Sequence, residues 1–142
     1  MISVDTNILL YAQNADCPEH GAARSFLQEI GPRQDVAICE LVLVELYLLL
    51  RNPAVVPQPL KPGKAAEMCR GYRSNPDWRL IENAPVMGRV WDAAGDAGFA
   101  RRRIIDLRLA LTLQHHGVTE LATANVKDFE GLGFARVWNP LG

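Results

Sequence analysis

Short apolar runs alternate along this chain with longer segments that have the periodicity of amphipathic helices. The runs are typical of buried strands, and they fall at 2–4, 35–39, 78–83, 118–124 and 134–138. Helical segments between successive strands favour a parallel sheet covered by helices on both faces. The alternation therefore predicts an α/β fold, a three-layer α/β/α sandwich with a central, mostly parallel sheet of four to five strands.

The intervening segments predict the helices, and proline and glycine mark several of their ends. The helices cover 6–12, 18–30, 41–51, 63–74, 85–98 and 102–117. Pro53 must end the third helix, and Gly117 caps the last one. The fifth helix is expected to face inward through Val86, Val90, Trp91 and Ala94. The segment NVKDFEGLG at 125–133 is expected to be a loop.

The length and composition favour one compact domain. With 142 residues, of which 49% are hydrophobic, the chain can bury a sizeable core, and we expect a single domain over 1–142. The apolar stretches are too short for a signal peptide or a membrane span. Three cysteines without CxxC spacing favour reduced thiols in a cytoplasmic protein.

The formal net charge of −1 argues against indiscriminate nucleic-acid binding, which requires a basic surface. The arginines nevertheless cluster, in RGYR at 70–73 and in RRR at 101–103. If several carboxylates are confined to one site, the rest of the protein carries positive charge. A basic rim around an acidic cavity is therefore compatible with this composition.

Four acidic residues occupy positions that an α/β fold can bring together. Asp5 directly follows the first strand, and Asp128 lies just beyond the fourth. Glu45 interrupts an apolar helix, and Asp106 lies in the first turns of another. In a parallel sheet the functional cleft lies beyond the carboxyl ends of the strands, where the packed helices also end or begin. The four acids are therefore candidates for one shared site.

Each of these acids alone also has an ordinary structural explanation. Glu45 can lie on an exposed edge of its helix, the helix dipole favours Asp106 near a helix start, and aspartate is common in turns such as that of Asp128. An ionised carboxylate in the interior, however, is costly unless it is paired or binds metal. The occurrence of all four together favours the shared site.

Clustered carboxylates raise each other's pKa steeply unless cations lie between them. Oxygen ligands suit Mg²⁺ or Mn²⁺, whereas His20, His115 and His116 have no spacing typical of a zinc site. Metal ions held by carboxylates can bind a phosphodiester, generate hydroxide and stabilise the leaving oxyanion. The pattern therefore predicts hydrolytic nuclease chemistry without a protein nucleophile.

Four segments of the chain form an ordered set of motifs: VDTNILLYA, ICELVLVELYLLL, RRIIDLRLAL and LATANVKDFEGLGFARVWNP. In this order they resemble the PIN-domain ribonucleases, and most closely the VapC toxins of type II toxin–antitoxin systems. The resemblance extends from residue 2 to about residue 140. It implies a PIN-like fold and a metal-dependent endoribonuclease that cleaves structured RNA, either tRNA or ribosomal RNA.

The resemblance also implies roles for individual residues. The catalytic and metal-binding residues would be Asp5, Glu45, Asp106 and Asp128. Thr6 and Asn7 would support Asp5, and Thr123 and Asn125 would support the closing loop. Many relatives have aspartate at the position of Asn125, whose amide oxygen can bind metal but adds no charge. Asn125 and Asp128 therefore both remain candidates for metal contact.

Partners follow from the same resemblance. A cognate VapB-type antitoxin would silence the chain, with an amphipathic helix in an apolar groove and an extended tail that can send an arginine toward the carboxylates. The helices at 18–30 and 41–51 are the candidates for that groove, although they can equally be core helices. An RNA substrate, a homodimer and no membrane contact complete the expectation.

Two other functions are compatible with parts of the sequence. A non-catalytic PIN-like domain that binds protein or RNA would have no need of four mutually repelling acids. A phosphotransferase with Asp5 as covalent nucleophile, as in haloacid dehalogenase-like phosphatases, needs an aspartate two residues further on, where this chain has Asn7. It also needs a suitably placed lysine, which we do not find. Both explain the sequence less completely than a metal-dependent ribonuclease does.

Overall fold

A parallel five-stranded sheet forms the centre of the protein, in a computed structural model that describes residues 1–142. Its strands are β1 (Ile2–Val4), β2 (Val36–Cys39), β3 (Arg79–Ile81), β4 (Glu120–Ala122) and β5 (Arg136–Trp138). They lie in the order β3-β2-β1-β4-β5, and every neighbouring pair is parallel. The predicted α/β fold is therefore confirmed, with a sheet that is parallel throughout.

Seven helices accompany the strands and pack in two groups. They are α1 (Thr6–Gln13), α2 (His20–Ile30), α3 (Glu40–Leu50), α4 (Pro62–Arg73), α5 (Met87–Ala94), α6 (Arg103–His115) and α7 (Val126–Phe129). Helix α1 packs against α2 and α3, and α3 packs against α4, while α5 and α7 pack against α6. None of the helices is long and apolar enough to cross a membrane.

The core consists of the central strands and the inner faces of α1, α3 and α6. Every residue of β1 and β2 is buried, which explains why their sequences are continuous apolar runs rather than alternating patterns. Ile8, Leu46 and Leu113 are fully buried on the three helices. Burial of a side chain of this size stabilises the fold by about 1.5–3 kcal/mol. Helices α3 and α6, which carry two of the four acids, are therefore held firmly against the sheet.

Local signals fix the ends of two helices that contribute to the site. The carboxylate of Asp5 accepts a hydrogen bond of 2.8 Å from the backbone N–H of Thr6 and so caps the start of α1. Gly117 follows the carboxyl end of α6, the longest helix, and has a φ of 88°, a left-handed conformation that favours glycine. The predicted cap of that helix is confirmed.

The central position of β1 determines where a site can form. From β1 the chain moves through β2 to β3 at one edge of the sheet, and β4 and β5 fill the other side. The carboxyl ends of β1 and β4 therefore flank the topological switch point, which is the usual binding crevice of open parallel sheets. The backbone N–H of Asp5 donates to the carbonyl of Ala122 at the end of β4 over 2.9 Å. Asp5 thus lies at the switch point.

Two details differ from the sequence-based expectation. The segment expected to be a loop contains the one-turn helix α7, whose formation buries Phe129. Helix α5 is shorter than predicted, and its expected inward orientation is wrong for Trp91, which is 62% exposed. A helix of about two turns presents only a narrow stripe to its neighbour, and in α5 that stripe is occupied by Val90, next to the buried Val86 that precedes the helix.

Candidate active site

A cavity of about 310 Å³ lies beyond the carboxyl ends of β1 and β4, and all four acids singled out in the sequence line it. Asp5 reaches it from the end of β1, Glu45 from α3, Asp106 from α6 and Asp128 from α7. These residues are far apart in the sequence, and the sheet topology brings them to one place. Thr6 and Thr123, which were expected to support the site, lie behind the cavity wall rather than in it.

The rest of the cavity wall consists of two amides, one cation and seven apolar side chains. The amides are Asn7 and Asn125, the cation is Arg108, and the apolar residues are Leu10, Leu41, Val42, Leu49, Ile105, Leu109 and Phe129. Apolar walls keep part of the solvent away from the carboxylates. Electrostatic interactions inside such a cavity are stronger than they are in open water.

Three hydrogen bonds hold the Asp5 carboxylate in place. Oδ1 accepts from the backbone N–H of Thr6 at 2.8 Å. Oδ2 accepts from the hydroxyl of Thr123 at 2.8 Å and from the side-chain amide of Asn7 at 3.3 Å. Because Asp5 is only 8% exposed, these donors replace the hydration that the carboxylate loses on burial. Asp5 is therefore the most firmly positioned acid of the site.

Asn7 and Thr123 also connect the end of β1 to the loop after β4. The Thr123 hydroxyl accepts hydrogen bonds from Asn7 Nδ2 at 3.3 Å and from the backbone N–H of Asn125 at 3.0 Å. The Asn7 side-chain oxygen accepts from the backbone N–H of Ala124 at 3.2 Å. These bonds fix the loop that leads to Asn125 and Asp128. The four residues that were expected to support the site, Thr6, Asn7, Thr123 and Asn125, thus all lie next to Asp5 or in this loop.

The carboxyl groups of this site all resist ionisation where a shift is resolved. Burial is the main cause that raises the pKa of Asp106, to about 6, and the charges of Asp128, Asp5 and Glu45 raise it further. Burial also raises the pKa of Asp5, against the lowering effect of its hydrogen bonds from Thr123 and Thr6. Strong pKa perturbation by burial and like charge in a cleft is typical of functional sites.

Glu45 lies at the solvent-exposed mouth of the cavity, so both sequence-based explanations for it hold in part. Burial against the neighbouring walls is the largest cause that raises its pKa, followed by the charge of Asp5. The Thr6 hydroxyl lies close enough to lower that pKa. This hydroxyl is buried, yet it has no hydrogen bond of good geometry to any group. An unsatisfied buried donor beside a group of acids indicates room for a rearrangement or a further ligand.

Comparison with known families decides what kind of domain this is. Residues 2–134 match the family model described as PIN domain. The chain belongs to the PIN-domain family. The resemblance inferred from the four motifs is therefore confirmed, and each motif contributes one of the four acids that line the cavity.

Relatives of the PIN domain are similar to it over almost its whole length. Two Mycobacterium tuberculosis proteins, from strains CDC 1551 / Oshkosh and ATCC 25618 / H37Rv, are each named Ribonuclease VapC24. Each is 61% identical to this chain over 141 residues, which cover 99% of this chain and 97% of the relative. The specific resemblance to VapC proteins is thus confirmed.

Solved structures share the fold at much lower sequence identity. The crystal structure of M. tuberculosis VapC20, described as a sarcin-ricin loop cleaving toxin, is similar with a TM-score of 0.70 and 20% identity, covering 95% of this chain and 97% of that one. A chain of the Rickettsia felis VapBC2 structure, solved with a promoter DNA fragment, is similar with a TM-score of 0.65 and 18% identity, covering 98% of both chains. At these identities the similarity supports the PIN fold.

The donor atoms in the cavity suit a hard divalent cation, but they do not form a finished ion site. Four carboxylates and two amides supply only oxygen ligands, which Mg²⁺ and Mn²⁺ prefer. No group of three or more histidine, cysteine or acidic side chains is arranged as a ready metal site anywhere in the chain. The four carboxylates line the cavity without converging closely enough to form such a site. Because Glu45 and Asp128 are exposed, their side chains can rotate toward Asp5 when a cation offsets the repulsion.

Asn125 and Asp128 both line the cavity, so the structure leaves both as candidates for metal contact. Both side chains are exposed, and they lie at the start of α7 and within it. Asp128 contributes the charge, since it is among the causes that raise the pKa of both Asp5 and Asp106. A cation in the cavity therefore gains more from Asp128 than from the neutral amide.

Two lining residues escaped the sequence-based reasoning. Ile105 continues the apolar spacing of Leu109 and Leu113 on α6, but it is 61% exposed and lines the cavity. Arg108 lies on the same helix and faces the cavity two residues after Asp106. Ile105 and Arg108 are three residues apart and therefore share one face of α6, which is the signal that the sequence offered for the pair.

The raised pKa of Asp106 leads to a prediction about the metal-free protein. The carboxyl ionises near 3.8 when unperturbed and at about 6 in the folded PIN domain. The folded state therefore binds more protons than the unfolded state between these values, and stability falls as the pH rises through this window. Asp106→Asn removes the cost of ionisation. In EDTA we expect this variant to melt at a higher temperature than wild type above pH 6.

The matched control for that prediction is Asp92→Asn, which changes the same functional group at an exposed position outside the cavity. Thermal unfolding followed by circular dichroism from pH 4 to pH 8 gives the comparison. The advantage of Asp106→Asn should disappear toward pH 4, and Asp92→Asn should follow wild type throughout. A constant difference between Asp106→Asn and wild type at every pH would contradict the raised pKa.

Proposed function

We propose that this PIN domain is the toxin of a type II toxin–antitoxin system, a metal-dependent endoribonuclease that hydrolyses phosphodiester bonds in structured RNA, either tRNA or ribosomal RNA. The observation that carries the proposal is the gathering of Asp5, Glu45, Asp106 and Asp128 in one cavity at the switch point. The 61% identity to proteins named Ribonuclease VapC24 supports the activity. The similar fold of VapC20, a sarcin-ricin loop cleaving toxin, is compatible with an RNA target.

We propose different roles in metal binding and proton transfer for the four acids, according to how firmly each is held. Bound Mg²⁺ or Mn²⁺ would supply an activated water molecule and offset the charge of the phosphodiester. Asp5 is fixed by three hydrogen bonds, and with Asp106 it would hold the cation deep in the cavity. Glu45 and Asp128, at the exposed mouth, would complete the ligand set. The raised pKa of Glu45 also suits it to take up a proton from water during hydrolysis.

No protein nucleophile is needed in this account. The buried thiol of Cys39 does not line the cavity, and burial raises its pKa. Thr123 donates its hydroxyl and Thr6 its backbone N–H to the Asp5 carboxylate, and neither residue lines the cavity. Water is therefore the attacking group that the arrangement favours. A non-catalytic binding domain would gain nothing from acids that raise one another's pKa.

A VapB-type antitoxin is the partner that we propose for the apolar surface beside the site. An open groove of about 280 Å³ lies between α3 and α4 and includes Leu43, Val44, Tyr47 and Leu48. Of the two helices expected to form the antitoxin groove, the one at 41–51 lines it and the one at 18–30 does not. Val44 and Leu48 are 59% and 63% exposed, which is unusual for large apolar side chains in one place. An amphipathic antitoxin helix would bury them. Similar folds occur in solved VapBC2 and FitAB structures, and we propose a homodimer for the free toxin.

The experiment that tests the ribonuclease proposal uses purified full-length protein and a mixture of bacterial tRNA and ribosomal RNA. Cleavage at a few discrete positions is expected with Mg²⁺ or Mn²⁺, and none is expected in EDTA. Primer extension maps the cut positions. Equal cleavage in EDTA would contradict the proposed metal dependence. No cleavage of either RNA class would contradict the proposed substrate.

The toxin role requires a second experiment in living cells. Production of the chain alone should arrest bacterial growth, and co-production of the protein encoded by the neighbouring small reading frame should restore it. Val44→Lys combined with Leu48→Lys should keep the RNA cleavage but weaken this rescue, because both charges fall on the proposed antitoxin surface. Full rescue of that double variant would place the antitoxin elsewhere.

A further inference from the structure

Arg108 is the one cation among the fourteen residues that line the active-site cavity. It lies on α6 two residues after Asp106, and its side chain is half-buried. Arg108 has no role in the proposed reaction, because the metal and the four acids account for the activation of water. A positive charge on the wall of an acidic cavity nevertheless calls for an explanation in terms of what it binds.

Arg108 forms no ion pair with a carboxylate. The four ion pairs within 4.0 Å in this protein involve Arg33, Lys64, Arg73 and Arg136. Arg108 takes part in none of them. Its one side-chain hydrogen bond is a long contact of 3.5 Å from Nη2 to the side-chain oxygen of Asn83. Most of the guanidinium donors are therefore free to meet a ligand.

Arg108 is not among the charges that shift the pKa of Asp5, Glu45 or Asp106, whereas a second arginine is. Arg103, five residues earlier on α6, is the cation that lowers the pKa of Asp106. Arg103 does not line the cavity, and its guanidinium donates to the carbonyl of Glu130 at 3.1 Å. The arginine that acts on Asp106 is thus held outside the cavity, while Arg108 lines it.

The ligand that this space must accept is itself an anion. RNA enters a cavity lined by four carboxylates, so each phosphate that approaches is repelled until a cation receives it. A planar guanidinium matches two oxygens of one phosphate and is the side chain best suited to that contact. We propose that Arg108 binds the non-bridging oxygens of an RNA phosphate next to the scissile one and so positions the strand over the four acids.

This inference rests on the proposed ribonuclease function, but its test does not depend on cleavage. Phosphate contacts carry no sequence information, so an arbitrary fluorescein-labelled RNA hairpin of about 20 nucleotides serves as the probe. All proteins in the binding test carry Asp5→Asn to prevent cutting. Fluorescence anisotropy at several salt concentrations then gives the dissociation constant and its salt dependence for each variant.

Loss of the Arg108 charge should weaken this binding in a characteristic way. Arg108→Gln should raise the dissociation constant about tenfold and reduce the slope of log affinity against log salt by about 0.7, the effect of one lost phosphate contact. Arg108→Lys should keep the slope but lose part of the affinity, since lysine preserves the charge without the two-pronged geometry. Arg24→Gln, an exposed arginine outside the cavity, should leave both values unchanged.

Kinetics on the otherwise wild-type protein separate positioning from support of the fold. With the RNA that wild type cuts, Arg108→Gln should raise KM about tenfold while kcat changes less than about threefold. An unchanged salt slope and KM in Arg108→Gln would overturn the proposal, and so would a loss of kcat alone. If wild type cuts no RNA, the proposed function fails, while the binding test still decides the role of Arg108. Melting temperatures within about 2 °C of wild type exclude unfolding as the cause.

Discussion

Asp5→Asn should abolish RNA cleavage while it leaves the fold intact. We expect the rate to fall by at least about 10³-fold, because a bound metal ion contributes several kcal/mol of transition-state stabilisation and each 1.36 kcal/mol corresponds to a factor of ten. The structure explains why Asp5 matters most. It is the acid with three hydrogen bonds and the smallest exposure, and it lies at the switch point.

The same substitution should be tolerated structurally for reasons specific to this position. Asparagine caps helices as well as aspartate does, so α1 keeps its start. The raised pKa of Asp5 shows that burial already works against its charge, and a neutral amide removes that cost. Asparagine has only one acceptor oxygen, so the hydrogen bonds to the other oxygen are lost and offset part of this gain. Cleavage assays should be paired with thermal unfolding, with Asp92→Asn as the exposed control. Cleavage at the wild-type rate by Asp5→Asn would contradict the assigned role.

Thr123→Val is expected to have the second largest effect. The Thr123 hydroxyl donates to Asp5 and accepts from Asn7 and from the backbone N–H of Asn125, all within 3.3 Å. Valine has a similar shape but makes none of these bonds. Partners that orient a metal ligand typically contribute 10–100-fold to metal affinity, so we expect a loss of about this size in Mn²⁺ affinity. A buried donor left without a partner should also cost about 1–3 kcal/mol of stability.

Thr123→Ser distinguishes the hydroxyl from the packing of the side chain. Serine keeps the three hydrogen bonds and loses only the methyl group, so it should retain most of the Mn²⁺ affinity. Titration with Mn²⁺ and thermal unfolding of the same samples give both quantities. If serine were as defective as valine, packing rather than hydrogen bonding would be responsible, and the network between Asp5 and Thr123 would lose its assigned function.

The strands and the first acid could be predicted from the sequence because their signals are local. A buried parallel strand is apolar throughout, and a polar residue directly after it marks the strand end, as with Asp5 after β1. The approximate positions of six helices followed from periodicity and from breakers such as Gly117. Since the ends of parallel strands meet at one edge, two acids beyond two strands, together with two on the adjacent helices, predicted a shared site, and all four line the cavity.

Other features depend on packing between elements that are distant in the sequence. Trp91 shares its helix with the buried Val90, and only the short contact between α5 and α6 decides which of them faces solvent. Ile105 continues the apolar spacing of α6 but extends past the neighbouring elements to the cavity rim. The sequence analysis did not single out Arg108. Its position facing the acids follows from the way α6 lies across the sheet, which periodicity does not specify.

The most direct test of the account measures metal binding to the cavity itself. Electron paramagnetic resonance of Mn²⁺ should show saturable binding to the wild-type PIN domain at pH 7.5, and the affinity should fall as the pH is lowered through about 6, where Asp106 takes up a proton. The double variant Asp5→Asn, Asp106→Asn should leave the added Mn²⁺ free. Equal binding by wild type and the double variant, or no binding by either, would contradict the claim that these carboxylates form a metal site.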